Sequence, residues 1–599
     1  MKRTILVAAA VAALLAPASV RADPEMPGVE TATGAAPRVL SAEDASRYRA
    51  IFADEAEGRF AEGRALIAGL SDRSLMGYVE AEHYLSPYVR RPAVADLAKW
   101  LDKYAELAVA ARVRALAEER NRHRRHHHKV ALAGIPGIPV RSVGGYYETT
   151  DSLADPPLAT EAARMAQLQI DGDVKLDQPA AAEAVLQQVV ATNVAPPSDI
   201  ARLTHHVAAA YLAEGQDDAA ARVAGAITGL DRDTAPLLDW VSGLAAYRLG
   251  KFADAGLSFE HLAQNGAVPG WTRSAAAFWA ARAHIAAGDP LPVVSLLIAA
   301  AREQPTFYGL LAERLLGQQS PDQFSDPVLD SASFEELMRI PAAHRAVALW
   351  QVGHTDGIEP EMRRAFAEMD LRDSSAFAAL SHRLDLPDLE LSASEAQARS
   401  GELLTGLFPV PQYTPPGGYH IDPCLVLAFA RVESRFKPKA VSTAGARGVM
   451  QLMPGTAELV DHTVPEKARL NDPAYNLGLG ERYLQSLIDQ TNGNLFQLAA
   501  AYNAGPNALA RWLATRPEIA SDPLLFIESI PYPETRSYIK YVMTWYWMYA
   551  KRTKESAPTL DETAEGQWPT YRPGATVSAK PPTQKPAGAL LISDAAVSH

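Results

Sequence analysis

RLTHHVAAAYLAEGQDDAAARVAGAI, residues 202–227, holds two apolar-periodic runs parted by Gly215-Gln216-Asp217. Apolar residues that recur every three to four positions mark amphipathic helices, and the glycine between them marks a turn. The design recurs in PLLDWVSGLAAYRLGKFADAGLSFEHLAQ (236–264), broken at Gly250. It recurs again in SAAAFWAARAHIAAGDPLPVVSLLIAAARE (274–303), broken at Gly288-Asp289-Pro290. Each unit reads as helix, short turn, helix, at about the tetratricopeptide period. Ala209, Ala245 and Ala281 are small enough to let neighbouring helices approach closely. A hairpin of this kind cannot cover its own apolar face, so each must stack on the next. That predicts an α-helical solenoid, or superhelix, over the alanine-rich residues 23–400. An irregular helical bundle is the alternative, because only these units repeat clearly.

Outward from this region, the chain opens with MKRTILVAAAVAALLAPASVRA, which carries Lys2 and Arg3 and then an apolar run from Ile5 to Leu15. Val20 and Ala22 are the small residues of a cleavage site before Asp23, so residues 1–22 read as a signal peptide. The run is shorter than the roughly 20 residues of a permanent span. No other segment reaches that length, so no integral membrane segment is expected after signal cleavage. A retained N-terminal anchor is the alternative. One cysteine, Cys424, excludes an intrachain disulfide, and an exported chain must then be held by core burial. The formal charge is −13, from 57 Lys+Arg against 70 Asp+Glu, with the acidity upstream of residue 400. This argues against nucleic acid as a partner, since phosphate binding wants a basic footprint. The run NRHRRHHHKV (121–130) reads as a solvated basic loop, its histidines flanked by repelling charges. Asp489 to Asn494 lacks the acidic spacing of a calcium loop. Neither metal nor cofactor is expected.

LFPVPQYTPPGGYHIDP (407–423) is the strongest punctuation inside the chain, with five prolines and paired glycines. We assign residues 401–421 to a linker, 422–556 to a second domain, and 557–599, rich in Pro, Ala, Thr and Ser, to a disordered tail. Asp422 and Pro423 suit the cap and first position of a helix reading CLVLAFARVES. Glu433 lies near its end, on the face of Phe429 and Ala430. Desolvation there raises a carboxyl pKa and lets it hold a proton, as a general acid must. A lone glutamate on such a helix is nevertheless more often exposed or ion-paired. The downstream residues change the odds: Ser442, GARGVMQLMPGTA (445–457), NDPAYNLGLGERYL (471–484), LAAAYNAGPNAL (498–509) and ESIPYPETRSYIKYV (528–542). Gly445 and Gly448 permit a tight turn close to a ligand. The amide of Gln451 can both donate and accept, which suits amino-sugar groups.

These blocks, in this order, resemble the soluble lytic murein transglycosylases, whose catalytic domain has a goose-type lysozyme fold. The matching residues are Glu433-Ser434, Gly448-Val449-Met450-Gln451, Ala501-Tyr502-Asn503-Ala504-Gly505, and Ile530-Pro531-Tyr532-Pro533-Glu534-Thr535-Arg536-Ser537-Tyr538. Val449 stands where the family has leucine. The resemblance implies an all-α protein, with a superhelix that is a candidate for ring formation and a lysozyme-like terminal domain. It implies cleavage of the MurNAc-GlcNAc bond of peptidoglycan with formation of 1,6-anhydromuramic ends. Glu433 would be the single acid/base, assisted by the substrate's acetamido group. By the same resemblance Ser442, Gln451, Met453, Tyr502, Asn503, Glu528 and Tyr538 would bind substrate. Asn503 and Gly505 could instead serve as a helix C-cap, and Met453 could be ordinary core. No second carboxylate stands out in the adjacent blocks. Peptidoglycan strands are the expected partner, with other cell-wall enzymes as further candidates, and the periplasm is the expected location. A hydrolytic muramidase and a non-catalytic periplasmic glycan-binding scaffold are the competing readings.

Overall fold

The structure, a computed structural model, describes residues 37–573 apart from 90–91, 123–129, 138–156, 304, 319–323, 399–402, 464 and 517–520. The expected signal peptide, residues 574–599 and nearly all of the histidine-rich run lie outside the described residues. Helices α1 to α5 lie between Ala42 and Arg122, followed by α6 (Glu161–Lys175) and α7 (Pro179–Thr192). The three quoted units then fold as the predicted hairpins. They are α8 (Pro197–Ala213) with α9 (Asp217–Ala224); after α10 (Leu230–Asp233), α11 (Leu237–Arg248) with α12 (Phe252–Gln264); and α13 (Gly270–Ala287) with α14 (Val293–Ala301). Gly215, Gly250 and Gly288 stand at the breaks with φ of 75°, 72° and 75°, the left-handed region that glycine enters without a Cβ penalty. Helix α13 lies against both α12 and α14, which is why Ala275, Ala276, Ala280, Ala281 and Ala283 are all buried on it.

Next come α15 (Phe307–Leu315), α16 (Ser331–Met338), α17 (Pro341–Val352), α18 (Ile358–Glu368), α19 (Ser374–Arg383) and α20 (Pro387–Gln397). Chain order does not set the packing order here. Helices α1 to α5 share one core with α16 to α20, whereas α6 to α15 share another with the terminal domain. The first core is sewn across the chain. The Gln351 side-chain oxygen accepts from the backbone N–H groups of Val39 (2.7 Å) and Leu40 (2.9 Å). Tyr78 donates to Glu361 at 2.8 Å, and Arg345 pairs with the other oxygen of that carboxylate at 2.8 Å. The superhelix expected as one continuous stack over 23–400 is therefore two packing groups, because its early hairpins find their apolar partners far downstream.

The terminal domain comprises α21 (Pro423–Ser434), α22 (Pro454–Asp461), α23 (Pro473–Gln490), α24 (Leu495–Ala504), α25 (Pro506–Thr515), α26 (Pro523–Ser529), α27 (Pro533–Arg552) and α28 (Pro558–Ala564). Among the described residues the protein is all-α, with isolated β-bridges and no strand. Two boundary expectations need correction. The described part of the 401–421 linker is packed: Leu404, Leu407 and Phe408 are buried, and Leu404 bridges to Ser325. Prolines and glycines stop helices there, yet the apolar residues between them still go inside. The tail expected to be disordered from 557 is ordered to 573. Leu495 N–H donates to Pro569 (2.9 Å), Tyr571 N–H to Gly493 (2.8 Å), and Trp568 packs edge-on to Phe526 at 5.3 Å. Those two aromatic anchors outweigh the low-complexity composition beyond them.

Candidate active site

Helix α21 forms as its sequence requires. The Asp422 side chain accepts from Cys424 N–H at 2.8 Å and Pro423 takes the first helical position. The helix stops at Arg435 (φ 54°) and Phe436 (φ 62°), two successive residues in the left-handed region. Conformations that L-residues disfavour are kept only where the surroundings over-determine them. Here Phe436 is fully buried and Arg435 pairs with Glu395 of α20 at 3.0 and 2.5 Å. The strained turn begins two residues after Glu433, so the acid stands in the last turn of a helix that ends at a rigid corner.

The carboxyl of Glu433 accepts from the Tyr538 hydroxyl of α27 at 2.5 Å. Burial pushes its pKa up to about 7, against the opposing pull of that bond, and the charge of Glu534 adds to the rise. Around it the rings of Phe429, Tyr483, Tyr502 and Tyr538 form an aromatic wall. Phe429 stands 4.9 Å from Tyr502 and 6.1 Å from Tyr538; Tyr502 lies 5.3 Å from Tyr483 and is stacked 6.5 Å from Tyr538. Burial beside Glu433 also pushes the Tyr502 and Tyr538 hydroxyls well above their ordinary pKa, so both stay protonated donors.

The sequence blocks meet through main-chain carbonyls. The Ser434 hydroxyl donates to Val449 at 2.8 Å, and the Tyr502 hydroxyl donates to Met450 at 2.8 Å. Gln451, with φ 45°, folds its amide back on Ala440 (3.2 Å) and Gly448 (2.9 Å). Gly448 (φ 78°) passes so close to Asn476 that a Cβ would lie 2.3 Å from its amide. Ser442 closes the preceding turn, its hydroxyl oxygen accepting from Ala446 N–H at 3.0 Å. Met453 is exposed at the start of α22, which removes the core alternative for it. Gly505 alone caps α24, leaving Asn503 to accept from Thr535 (2.6 Å) and donate to Glu534 (3.4 Å).

Glu528 requires correction. It is not on the cleft: it is 3 % exposed, accepts from the Tyr308 hydroxyl at 2.6 Å, and pairs with Lys540 at 3.1 and 3.4 Å. A carboxylate so deeply buried, with both its donors inside the core, presents no oxygen to a sugar in the cleft. The glutamate on the cleft side is Glu534, which is exposed and whose charge reaches Glu433. It stands inside the quoted Pro-Glu-Thr-Arg block, so the signal lies in the sequence, attached to the other glutamate. Asn476 is a further functional residue that the sequence reading does not single out. It is fully buried, accepts from Met450 N–H (2.8 Å) and donates to Arg447 (3.1 Å), fixing the turn that carries Gln451. A buried asparagine on the apolar face of a helix is the kind of residue that marks such a brace.

Away from the cleft, Asp422, Cys424 and Glu555 bring ligand-type atoms within 4.8 Å of one another. Burial raises the pKa of all three, and Asp422 is engaged as the α21 cap and by Tyr546 at 2.8 Å. A thiol held protonated is a poor metal ligand.

Fold and site together define an all-α protein in which a helical superhelix packs against a terminal helical domain that holds a half-buried, protonatable glutamate. Residues 416–524 match the family described as Transglycosylase SLT domain, so this segment of the chain carries that domain. The soluble lytic murein transglycosylase of Escherichia coli K12 is 39 % identical over 158 residues, 25 % of this chain and 23 % of that protein. Its Salmonella typhimurium counterpart is 37 % identical over 148 residues, 23 % and 22 % of the two chains. The chain thus aligns with less than a quarter of the length of either relative. The crystal structure of the 70 kDa soluble lytic transglycosylase from Escherichia coli is similar over 88 % of this chain and 99 % of its own, with 18 % identity and a TM-score of 0.49.

Proposed function

We propose that the chain is a lytic transglycosylase that cleaves the β-1,4 bond between N-acetylmuramic acid and N-acetylglucosamine in peptidoglycan, leaving 1,6-anhydromuramic ends. The observation that carries this reading is Glu433, a carboxyl raised to about 7 inside an aromatic wall. A carboxyl with a pKa of about 7 is about half protonated at neutral pH, and it becomes a base once it has given its proton away. Tyr538 donates to Oε1, so the proton sits on Oε2. That proton passes to the glycosidic oxygen as the C1–O bond breaks, and the acetamido oxygen stabilises the cationic C1. Glu433, now a carboxylate stabilised by Tyr538, takes the proton of the muramic C6 hydroxyl as O6 bonds to C1, and no water is consumed. The motif blocks that surround Glu433 and the likeness to soluble lytic murein transglycosylases support this assignment. Ser442, Gln451, Met453, Tyr502, Asn503 and Tyr538 are the proposed substrate-side residues, with Glu534 in place of Glu528. The proposed catalytic domain is 422–556, extended to 573 by the ordered tail. The proposed setting is the periplasm, with peptidoglycan strands as substrate and other cell-wall enzymes as partners. No described helix is long and apolar enough to cross a membrane.

One observation favours a second reading. Glu534 is a second carboxylate within electrostatic reach of Glu433, as a hydrolase would need to activate water. Product mass separates the two, because the anhydro product is one water lighter. Muropeptides from digested peptidoglycan are expected to carry anhydromuramic ends, and reducing-end muramic acid alone would overturn the transglycosylase assignment. The pH profile is set by Glu433. The acid is loaded below its pKa, so kcat/KM is expected to hold on the acid side. It should fall about tenfold per unit as pH rises beyond about 7. A profile centred on the ordinary carboxyl range near pH 4.5 would contradict the enclosed acid.

A further inference from the structure

Helix α26 is gripped from outside its own domain. Asp522 caps it, accepting from Leu524 and Leu525 N–H at 3.0 Å, and the same side chain takes Arg282 of α13 at 2.6 Å. Glu528 in its last turn takes the Tyr308 hydroxyl of α15 at 2.6 Å, and Ser529 takes Arg248 of α11 at 2.8 Å. Three superhelix helices thus each send one buried side chain to a single seven-residue helix. Apolar packing alone tolerates sliding, whereas buried, charge-assisted hydrogen bonds are short and directional. The grip extends to α27, because Glu528 also holds Lys540 at 3.1 Å. Lys540 and Tyr538 are two residues apart, so they point roughly 200° apart around the helix axis. One faces the superhelix side; the other reaches Glu433.

We propose that the superhelix positions the acid: Tyr308, Glu528 and Lys540 are positioning residues that fix the rotation of α27, and with it the place where the Tyr538 hydroxyl meets Glu433. The inference rests on the reading of Glu433 as the general acid, and it assigns the superhelix a part in the chemistry beyond holding glycan.

The test uses the full chain and the variant Tyr308→Phe, which removes one hydroxyl and keeps the ring against Phe278 (5.1 Å) and Phe307 (5.0 Å). The first readout is the titration of Glu433, monitored by its carboxyl carbon resonance without substrate. The groups that face Glu433 are Tyr538 and Glu534 from α27 and Tyr502 from α24. The Tyr538 bond lowers the Glu433 pKa, so a misplaced Tyr538 moves the titration upward. General loosening of the domain admits water and moves it downward, toward the ordinary value. The positioning role therefore predicts an upward shift, together with a kcat lowered about tenfold and KM unchanged within twofold. In the background of Tyr538→Phe the shift should vanish, because the path is then already cut. Arg314→Gln is the control. It breaks another bond of α15, to Asp561 of α28 at 2.8 Å, and should lower the melting temperature without moving Glu433. Glu528→Gln, which keeps the shape but removes the charge that Tyr308 and Lys540 share, must move Glu433 in the same direction as Tyr308→Phe. An unmoved or downward titration in both variants, or an equal shift in Arg314→Gln, overturns the proposal and leaves a plain stability clamp. Because the titration is read without substrate, its outcome stands apart from whether the chain cuts peptidoglycan by the proposed route.

Discussion

Glu433→Gln is expected to abolish peptidoglycan cleavage, by about three orders of magnitude or more, while the protein stays folded and still binds glycan. A positioned general acid or base contributes about 10²–10⁴-fold, and here one carboxyl serves as acid and then as base. Glutamine keeps the size of the side chain and can still accept from Tyr538, so the geometry of the aromatic wall is preserved. The stability consequence has a definite sign. The folded-state pKa of Glu433 is raised from its ordinary 4.5 to about 7, chiefly by burial. The enclosure thus favours the neutral form. Its contribution is fully present below about pH 4.5 and is lost as pH rises through about 7. Glutamine is neutral throughout and suffers no such loss. The variant should therefore melt at or above the temperature of the parent at pH 8 or so, with turbidity clearance of peptidoglycan absent at every pH. Substantial residual cleavage would reject the assigned role. A variant that melts lower at high pH would reject the enclosed, protonated carboxyl.

Glu528→Ala is expected to cost about 3–5 kcal/mol, among the largest single losses in the terminal domain. Lys540 is 2 % exposed and would be left charged in the core without its partner, and the buried Tyr308 hydroxyl would lose its acceptor. Replacing both members of the pair, Glu528→Met with Lys540→Met, should recover much of that loss, since neither charge then remains to be solvated. The denaturant midpoint reports both, read by the fluorescence of Trp545 and Trp547, which are buried on α27. A loss below about 1 kcal/mol would mean that the pair is hydrated and does not organise the core. This outcome also separates the two views of Glu528. A glycan contact would change KM with little effect on unfolding, whereas the buried triad changes unfolding first.

The sites that are readable from sequence share a physical character: their causes are local. The capping of α21 by Asp422 and Pro423 needs only three consecutive residues. The placing of Glu433 on the face of Phe429 and Ala430 comes from one helix, and the hairpin turns come from Gly215, Gly250 and Gly288. Glu528 and Glu534 cannot be told apart in this way. They stand six positions apart in the same block, and what distinguishes them is which one meets Tyr308, 220 positions upstream. Asn476 is illegible for the same reason, since its value lies in bracing Arg447 and Met450 from another helix.

By itself the sequence determined the helical class, the hairpin design of the superhelix and the start of α21 at Asp422, each through periodicity or turn chemistry within a few residues. Glu433 was singled out by the resemblance of the blocks around it, not by its local surroundings. Only the tertiary structure decided that Gln351 ties down Val39 and Leu40, more than 300 positions away, and that the region after 557 folds back on the domain through Trp568 and Tyr571. It alone showed that α11, α13 and α15 hold the helix next to the one carrying Tyr538. Those are pairings of buried polar and aromatic groups across the chain. The free energy of each depends on which partner arrives, and no local pattern encodes that.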